Sequence, residues 1–165
     1  MGGGTTLLLV PRWVPRVYAD TSVYGGTCDP GFESPSRAFF EQVRQAEFAL
    51  VISAVVLRET ERAPEAVKAL VAEMLDYADP ADVTDKTRNL QQAYLEAGIV
   101  TPRSADDALH VALATVSGCS MIVSWNFRHI AQFAKMRLYT AVNALHGCDS
   151  IAIHSPPEVM TYDED

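Results

Sequence analysis

The chain has 165 residues, of which 48% are hydrophobic and 21% are charged, and its formal net charge is -8. This composition is typical of a globular domain, and the length is sufficient to bury a core without disulfides or a structural metal. The negative charge argues against a protein that binds polyanions through a broadly basic surface, but not against an enzyme whose carboxylates bind cations.

Residues 1–14 are predicted to form a flexible N-terminal extension. Residues 1–6 are glycine-rich, and Pro11 and Pro15 prevent a continuous helix after the apolar residues 7–10. The sequence lacks the basic start and cleavage site of a signal peptide, and no apolar run reaches the ~20 residues of a membrane span. The three cysteines have no C-x-x-C spacing, which predicts reduced thiols in a cytoplasmic protein. We therefore expect one domain over residues 15–160, with an acidic tail at 161–165.

Short apolar runs alternate with segments of helical periodicity through the rest of the chain. The runs predict buried strands at residues 17–19, 48–52, 121–123 and 151–153. The periodic segments predict helices over residues 34–47, 54–62, 65–77, 84–97, 105–117 and 127–136. Such alternation predicts an α/β fold with a mainly parallel central sheet flanked by helices on both faces.

Local signals mark the breaks between these elements. Gly25 and Gly26 predict a turn after the first strand, and Ser34 or Ser36 is expected to cap the helix that follows. Residues 79–80, an Asp-Pro pair, are expected to break the chain between two helices, and residues 99–100 to act as a connector. Residues 156–157, a pair of prolines, are expected to begin an exposed tail.

Polar side chains follow three of the predicted strands. Asp20 ends the first strand, Ser53 ends the second with Glu59 six residues further on, and Asn126 follows the strand at 121–123. Asp107 adds a carboxylate in the first turn of the apolar helix at 105–117, for which Ser104 is the predicted cap. The strand ends and helix starts of a parallel sheet share one edge, so these groups are expected to meet there.

Carboxylates held close together repel one another unless protons or cations compensate their charge. Oxygen ligands without histidine or cysteine suit Mg²⁺ or Mn²⁺, and these ions also accept phosphate oxygens. The chemistry that fits such a site is hydrolysis of a phosphodiester.

Each of these residues has a structural alternative. Asp20 would also serve as a helix cap, as would Thr21 and Ser22. Glu59 competes with Glu61 for the site, and Asp107 competes with Asp106, which would also favour the positive end of its helix.

The nearby side chains carry open interpretations as well. His110 would face the cleft or simply be hydrogen-bonded in the core, and no role is assigned to it. Trp125 would stack on a base or pack at a strand end. Arg128, His129 and Lys135 are candidates for holding RNA phosphate.

Taken in order, four segments resemble the PIN-domain family, specifically toxin ribonucleases of the VapC type. They are residues 20–26, which read Asp-Thr-Ser-Val-Tyr-Gly-Gly, residues 52–59 from Ile52 to Glu59, residues 107–112 from Asp107, and residues 123–130, which read Val-Ser-Trp-Asn-Phe-Arg-His-Ile. The resemblance covers nearly all of the chain from residue 17 onward.

The resemblance implies a PIN-like three-layer sandwich and an endoribonuclease that depends on Mg²⁺ or Mn²⁺. It implies that Asp20, Glu59 and Asp107 are metal-binding acids, with Asn126 at a fourth position where the family often has an acid. It also implies an RNA substrate, an antitoxin partner and a homodimer. Two alternatives remain open from the sequence: a non-catalytic binding module of the same fold, and a nuclease that acts on DNA or another phosphoester.

Overall fold

The computed structural model of the protein describes residues 13–160. Within them, five strands form a single parallel sheet; they are β1 (Arg16–Ala19), β2 (Ala49–Ser53), β3 (Asp79–Ala81), β4 (Met121–Val123) and β5 (Ala152–His154). The strand order across the sheet is β3-β2-β1-β4-β5. The predicted α/β fold with a mainly parallel sheet is therefore confirmed.

Helices cover both faces of this sheet. They are α1 (Thr21–Gly26), α2 (Glu33–Arg44), α3 (Ala54–Glu59), α4 (Glu65–Met74), α5 (Asp85–Glu96), α6 (Ala105–Val116) and α7 (Phe133–Leu145). Helix α1 contacts α2 and α4, whereas α5 contacts α6 and α7. Connections between parallel strands are right-handed, and the chain reverses its direction across the sheet after β3, so the two groups of helices lie on opposite faces.

The central strand β1 positions the candidate site. Its residues Val17, Tyr18 and Ala19 are fully buried. Strand β1 lies between β2 and β4, with Tyr18 in register with Val51 on one side and Ile122 on the other. The strand order reverses at this point, and in open α/β sheets the crevice beyond such a reversal binds ligands. The segments that follow β1 and β4 face this crevice.

Strand β3 was not predicted, because Pro80 indicated a break. Pro80 cannot donate a hydrogen bond to a neighbouring strand, and proline is therefore found mainly on edge strands. Among the described residues, β3 pairs only with β2 and forms an edge of the sheet. The predicted break between two helices is confirmed, since α4 ends at Met74 and α5 begins at Asp85, but the short strand within it was not predicted.

The helix predicted over residues 127–136 was also wrong. Asn126 begins a tight turn instead, in which its backbone carbonyl accepts hydrogen bonds from the N–H groups of Ile130 and Ala131. The helix α7 starts only at Phe133, after Gln132 in an extended conformation, and continues to Leu145.

The glycine pair and the serine caps were misassigned. Gly25 and Gly26 lie inside α1 rather than in a turn, and a Cβ on Gly26 would be 2.5 Å from Ser36 Oγ. Gly26 therefore permits close packing of α1 against α2. Neither Ser34 nor Ser36 caps α2, since its N-cap is Phe32. Ser36 is instead buried and accepts a hydrogen bond from Trp125 Nε1 at 2.8 Å.

The remaining boundaries differ little from the predictions. The helices predicted over residues 54–62 and 65–77 end at Glu59 and Met74. Residues 156–159 form a 3-10 helix whose Pro156 is buried, so the exposed tail does not begin there. The predicted extension lies outside the described residues except for positions 13 and 14, and the acidic tail at 161–165 lies wholly outside them. In the part of the chain from 13 to 160, no helix has the length and apolar character that crossing a membrane requires.

Candidate active site

Asp20 lies directly after β1 and is almost fully buried, with 3% of its surface exposed. Its Oδ1 accepts hydrogen bonds from Ser22 N at 3.1 Å and Ser22 Oγ at 2.5 Å, so it does cap α1. Burial raises the pKa of Asp20, and the nearby charge of Asp107 raises it further, although His110 and the two serine hydroxyls act in the opposite direction. The cap therefore does not remove the electrostatic cost of the buried carboxylate.

Serine hydroxyls join the segments that follow β1 and β4. Ser124 Oγ donates to Asp20 Oδ2 at 2.6 Å and accepts from Asn126 N at 2.9 Å. Ser22 Oγ accepts from Trp125 N at 2.9 Å. These bonds fix the position of Asp20 relative to the turn at Asn126.

Asp107 lies in the first turn of α6. Burial raises the pKa of Asp107, the nearby Asn126 side chain lowers it, and the negative charge of Glu59 raises it. The Asn126 Oδ1 accepts from His129 N at 2.9 Å, so its amide NH₂ is the group available to Asp107.

The neighbouring Asp106 has a different environment. Its side chain is 57% exposed and pairs with Arg58 Nη2 at 3.1 Å. Of the two acids in this turn, Asp107 is the one whose charge acts on Asp20, and Asp106 lies in a surface ion pair.

Glu59 is the last residue of α3. Its Oε1 lies 2.5 Å from His110 Nε2 and accepts from Thr21 Oγ1 at 3.2 Å. Burial raises the pKa of Glu59, but the hydrogen bond and charge of His110 outweigh that effect and the pKa is lowered overall. Glu61, the competing residue in the sequence, is exposed. A cavity of about 330 Å³ opens beside Thr21 and Glu59.

His110 is the residue to which the sequence assigned no role. It is 2% exposed, and its Nδ1 lies 2.6 Å from the hydroxyl of Tyr18. It links the core to Glu59 and lies three residues after Asp107, a spacing that places both on one face of α6. That spacing is the signal that could have identified it.

The basic residues differ in whether their polar groups already have partners within the protein. Lys135 Nζ donates to the backbone carbonyl of Ile99, so its ammonium group is occupied there. His129 Nε2 lies 3.3 Å from Ser104 Oγ, and the charge of His129 lowers the pKa of Asp107. Arg103 and Arg128 are exposed, and neither forms an ion pair with any residue in 13–160.

The Trp125 ring packs at the strand end. It lies 4.3 Å from the Phe32 ring, centroid to centroid, and its Nε1 donates to Ser36. These contacts agree with the packing alternative for Trp125.

Asp20, Glu59 and Asp107 offer carboxylate oxygens, the ligands that Mg²⁺ and Mn²⁺ prefer. Burial raises the pKa of Asp20 and of Asp107, which disfavours their charged forms unless a cation compensates them. Within residues 13–160, no group of three His, Cys, Asp or Glu side chains is placed to hold a metal ion. Mg²⁺ commonly binds through one or two carboxylates and keeps several waters, so an open site of this kind fits.

The fold resembles that of a chain in a solved protein–DNA complex. A chain of the structure described as VapBC2 from Rickettsia felis bound to a DNA fragment from their promoter aligns with a TM-score of 0.52 and 11% identity, covering 85% of this chain and 98% of that one. No protein-family model and no curated protein matches the sequence. The structural likeness supports the predicted PIN-like α/β sandwich.

Proposed function

We propose that the protein is a metal-dependent endoribonuclease that hydrolyses phosphodiester bonds in single-stranded or loop RNA. The observation that carries the proposal is electrostatic: Asp20, Glu59 and Asp107 come from three separate segments, and the charge of Asp107 acts on Asp20 while that of Glu59 acts on Asp107. Carboxylates that repel one another in this way are stabilised when a bound cation compensates their charge.

Asp20, Glu59 and Asp107 are the residues that would hold Mg²⁺ or Mn²⁺. Asn126, which the resemblance places among the ligands, contributes by orienting Asp107 through its amide group. The bound cation supplies Lewis-acid chemistry, because it lowers the pKa of a water nucleophile and neutralises charge that develops on the phosphate. Ser22 and Ser124 hold Asp20 in place through their hydroxyl groups.

An acidic protein needs local positive charge to bind RNA. Arg103 precedes Ser104, and Arg128 precedes His129, and the contact between Ser104 and His129 brings the two arginines to neighbouring positions. Both lie close in sequence to the proposed ligands Asp107 and Asn126. We assign them as the groups that bind substrate phosphates on either side of the scissile bond.

The structural neighbour VapBC2 supports a proposal for the biological setting, because the sequence motifs resemble VapC-type toxins and the alignment covers 98% of the neighbour's chain. We propose that this protein is likewise the toxin of a toxin-antitoxin pair and that it acts as a homodimer.

A non-catalytic binding module is the second candidate. It is favoured by one observation, namely that no group of three His, Cys, Asp or Glu side chains within 13–160 is placed to hold a metal ion. The acids would then be a relic of catalysis, or would bind a cation for structural reasons alone.

Cleavage of a defined single-stranded RNA separates the two candidates. The purified protein is incubated with the RNA in the presence of Mn²⁺, and Mn²⁺ binding is measured in parallel by electron paramagnetic resonance. The nuclease proposal expects cleavage and binding together. Binding by an inhibitor-free protein that cleaves no RNA supports the module instead, and cleavage of DNA alone would transfer the activity to another substrate.

A further inference from the structure

A chain of hydrogen bonds runs from the core of the sheet to Glu59. Ser53 Oγ lies 2.7 Å from the hydroxyl of Tyr18, which lies 2.6 Å from His110 Nδ1. His110 Nε2 lies 2.5 Å from Glu59 Oε1. Tyr18 is fully buried and His110 nearly so, whereas the Glu59 side chain is 32% exposed. The chain therefore connects β2, β1 and α6 to a carboxylate at the end of α3, beside the crevice.

His110 can donate to Glu59 in either of its protonation states. When Nδ1 carries no hydrogen, it accepts from the Tyr18 hydroxyl while Nε2–H donates to the Glu59 carboxylate. When both ring nitrogens carry hydrogens, Nε2–H still donates to Glu59, Nδ1–H donates to the Tyr18 oxygen, and the Tyr18 hydroxyl donates to Ser53 Oγ. Ser53 Oγ also accepts from Val56 N at 3.3 Å, as the cap of α3. Each buried polar atom in the chain thus has a partner.

Such a chain fixes the carboxylate more tightly than packing would. Glu59 is at the C-terminal end of a short helix, where it would otherwise adopt several rotamers. Both of its hydrogen bonds, from His110 and from Thr21, are made to Oε1. The other oxygen, Oε2, is therefore the one left to face a cation.

We propose that His110 is a positioning residue, oriented by Tyr18, that holds the Glu59 carboxylate in the conformation required for cation binding. This inference rests on the proposed function, because it assigns a purpose to Glu59 within the same site. His110 itself is too deeply buried to touch substrate. Residues of this kind act through a ligand, and their loss typically reduces metal affinity by about 10–100-fold.

Four variants test the proposal through Mn²⁺ affinity. Tyr18→Phe removes only the hydroxyl and is expected to weaken Mn²⁺ binding by about tenfold, because His110 loses its partner. His110→Leu removes the donor to Glu59 and is expected to weaken binding by up to about 100-fold. His110→Gln retains an amide donor near the position of Nε2 and is expected to recover most of that loss. Tyr94→Phe is the control, since it removes a buried hydroxyl that donates to Asn143 between α5 and α7, and its affinity should equal that of the parent.

A second readout is independent of the metal. The imidazole Nε2–H of His110 should give a strongly downfield proton resonance in the metal-free protein, as expected for a hydrogen bond to a carboxylate. Glu59→Gln should shift this resonance upfield, whereas Tyr94→Phe should leave it in place. A protein that has lost its fold shows no such selective change, so the two effects are separable.

The outcomes distinguish this inference from the proposed function. If the parent binds Mn²⁺ and His110→Leu binds it equally well, the positioning role is overturned and the proposed function stands. If the resonance does not respond to Glu59→Gln, the positioning role is likewise overturned. If the parent binds no Mn²⁺, the proposed function is overturned and the cation-related role of His110 falls with it.

Discussion

Two carboxylates at the starts of short helices, Asp20 at the crevice and Glu158 near the end of the described chain, have pKa values shifted in opposite directions. Asp20 caps α1 and accepts from Ser22 N and two serine hydroxyls. Glu158, in the last 3-10 helix, accepts from Ser155 N at 3.0 Å and Ser155 Oγ at 2.7 Å. The pKa of Asp20 is raised, mainly by burial, whereas the serine hydrogen bonds lower the pKa of Glu158.

Burial accounts for this difference, because the donors are similar. The Glu158 side chain is 56% exposed, so water remains available and the hydrogen bonds favour the charged form. Asp20 is buried at the edge of the core, where burial disfavours its charged form even though three hydrogen bonds are donated to it. A carboxylate that only caps a helix does not need to be buried. The burial of Asp20 therefore makes it a candidate for cation binding, whereas Glu158 serves only its capping box.

The largest effect is expected at Asp107, whose pKa is raised by burial as that of Asp20 is. Asp107→Asn removes a proposed ligand and should reduce RNA cleavage by about a thousandfold, since the lost stabilisation of the transition state amounts to several kcal/mol. The matched control is Asp106→Asn, which removes only the surface ion pair with Arg58. Single-turnover cleavage rates measure both variants, and equal losses in the two would contradict the assignment of Asp107.

The second largest effect is expected from the exposed positive charges near the crevice, which we assign to RNA binding. Arg103→Glu combined with Arg128→Glu should raise the RNA concentration needed for half-maximal cleavage by roughly a hundredfold, because each of the two lost charged hydrogen bonds contributes about 1.5–3 kcal/mol. Arg137→Glu is the control, since Arg137 lines a cavity with Ile151 and Ala152 at the amino end of β5. The two arginines have no such role if the double variant and the control behave alike in steady-state assays.

A smaller effect concerns the stability of the metal-free protein. Asp20→Asn removes a buried, poorly compensated charge and should increase the free energy of unfolding by roughly 1 kcal/mol, or about 2–4 °C in melting temperature. Mn²⁺ should raise the melting temperature of the parent and leave that of the variant unchanged. Calorimetry measures both quantities, and a variant less stable than the metal-free parent would indicate that Asp20 is an ordinary structural cap.

The smallest expected effect has the opposite sign and belongs to Glu158. Its pKa is lower in the folded than in the unfolded protein. It therefore contributes stability that is present above the unfolded pKa and is lost as the pH falls through the folded pKa. Urea unfolding of the parent and of Glu158→Gln should differ slightly at neutral pH and converge in acid. A gap that widened as the pH fell would contradict the direction of this shift.

The fold could be read from the sequence where periodicity and burial agree. Residues 17–19 and 121–123 are short apolar runs and are strands in the structure. The residues of α6 are small and apolar on nearly all sides, which identified it as a buried helix. Strand β3 could not be found in this way, because Pro80 is acceptable only at an edge, and the sequence does not reveal which strand is the edge. Helix α7 was misplaced because the side chain of Asn126 sets a turn that periodicity does not show.

The sequence could propose the residues of the candidate site but not the contacts between them. Asp20 follows β1, Asp107 lies in the first turn of α6, and Glu59 ends the short helix after β2, and a parallel sheet gathers such segments at one edge. The contacts of Tyr18 with His110, and of His110 with Glu59, join residues that are distant in sequence and depend on the packing of α6 against the sheet. Sequence spacing shows that His110 shares a face with Asp107, but the partner on the other side of the ring comes only from the fold.

The measurement that tests the central claim most directly is RNA cleavage by the parent and by Asp20→Asn, with Mn²⁺ and with Mn²⁺ plus an excess of chelator. We predict that the parent cleaves RNA with Mn²⁺ and loses this activity on chelation, and that the folded variant cleaves under neither condition. Cleavage by Asp20→Asn at the rate of the parent, or undiminished cleavage by the parent in chelator, would contradict the account.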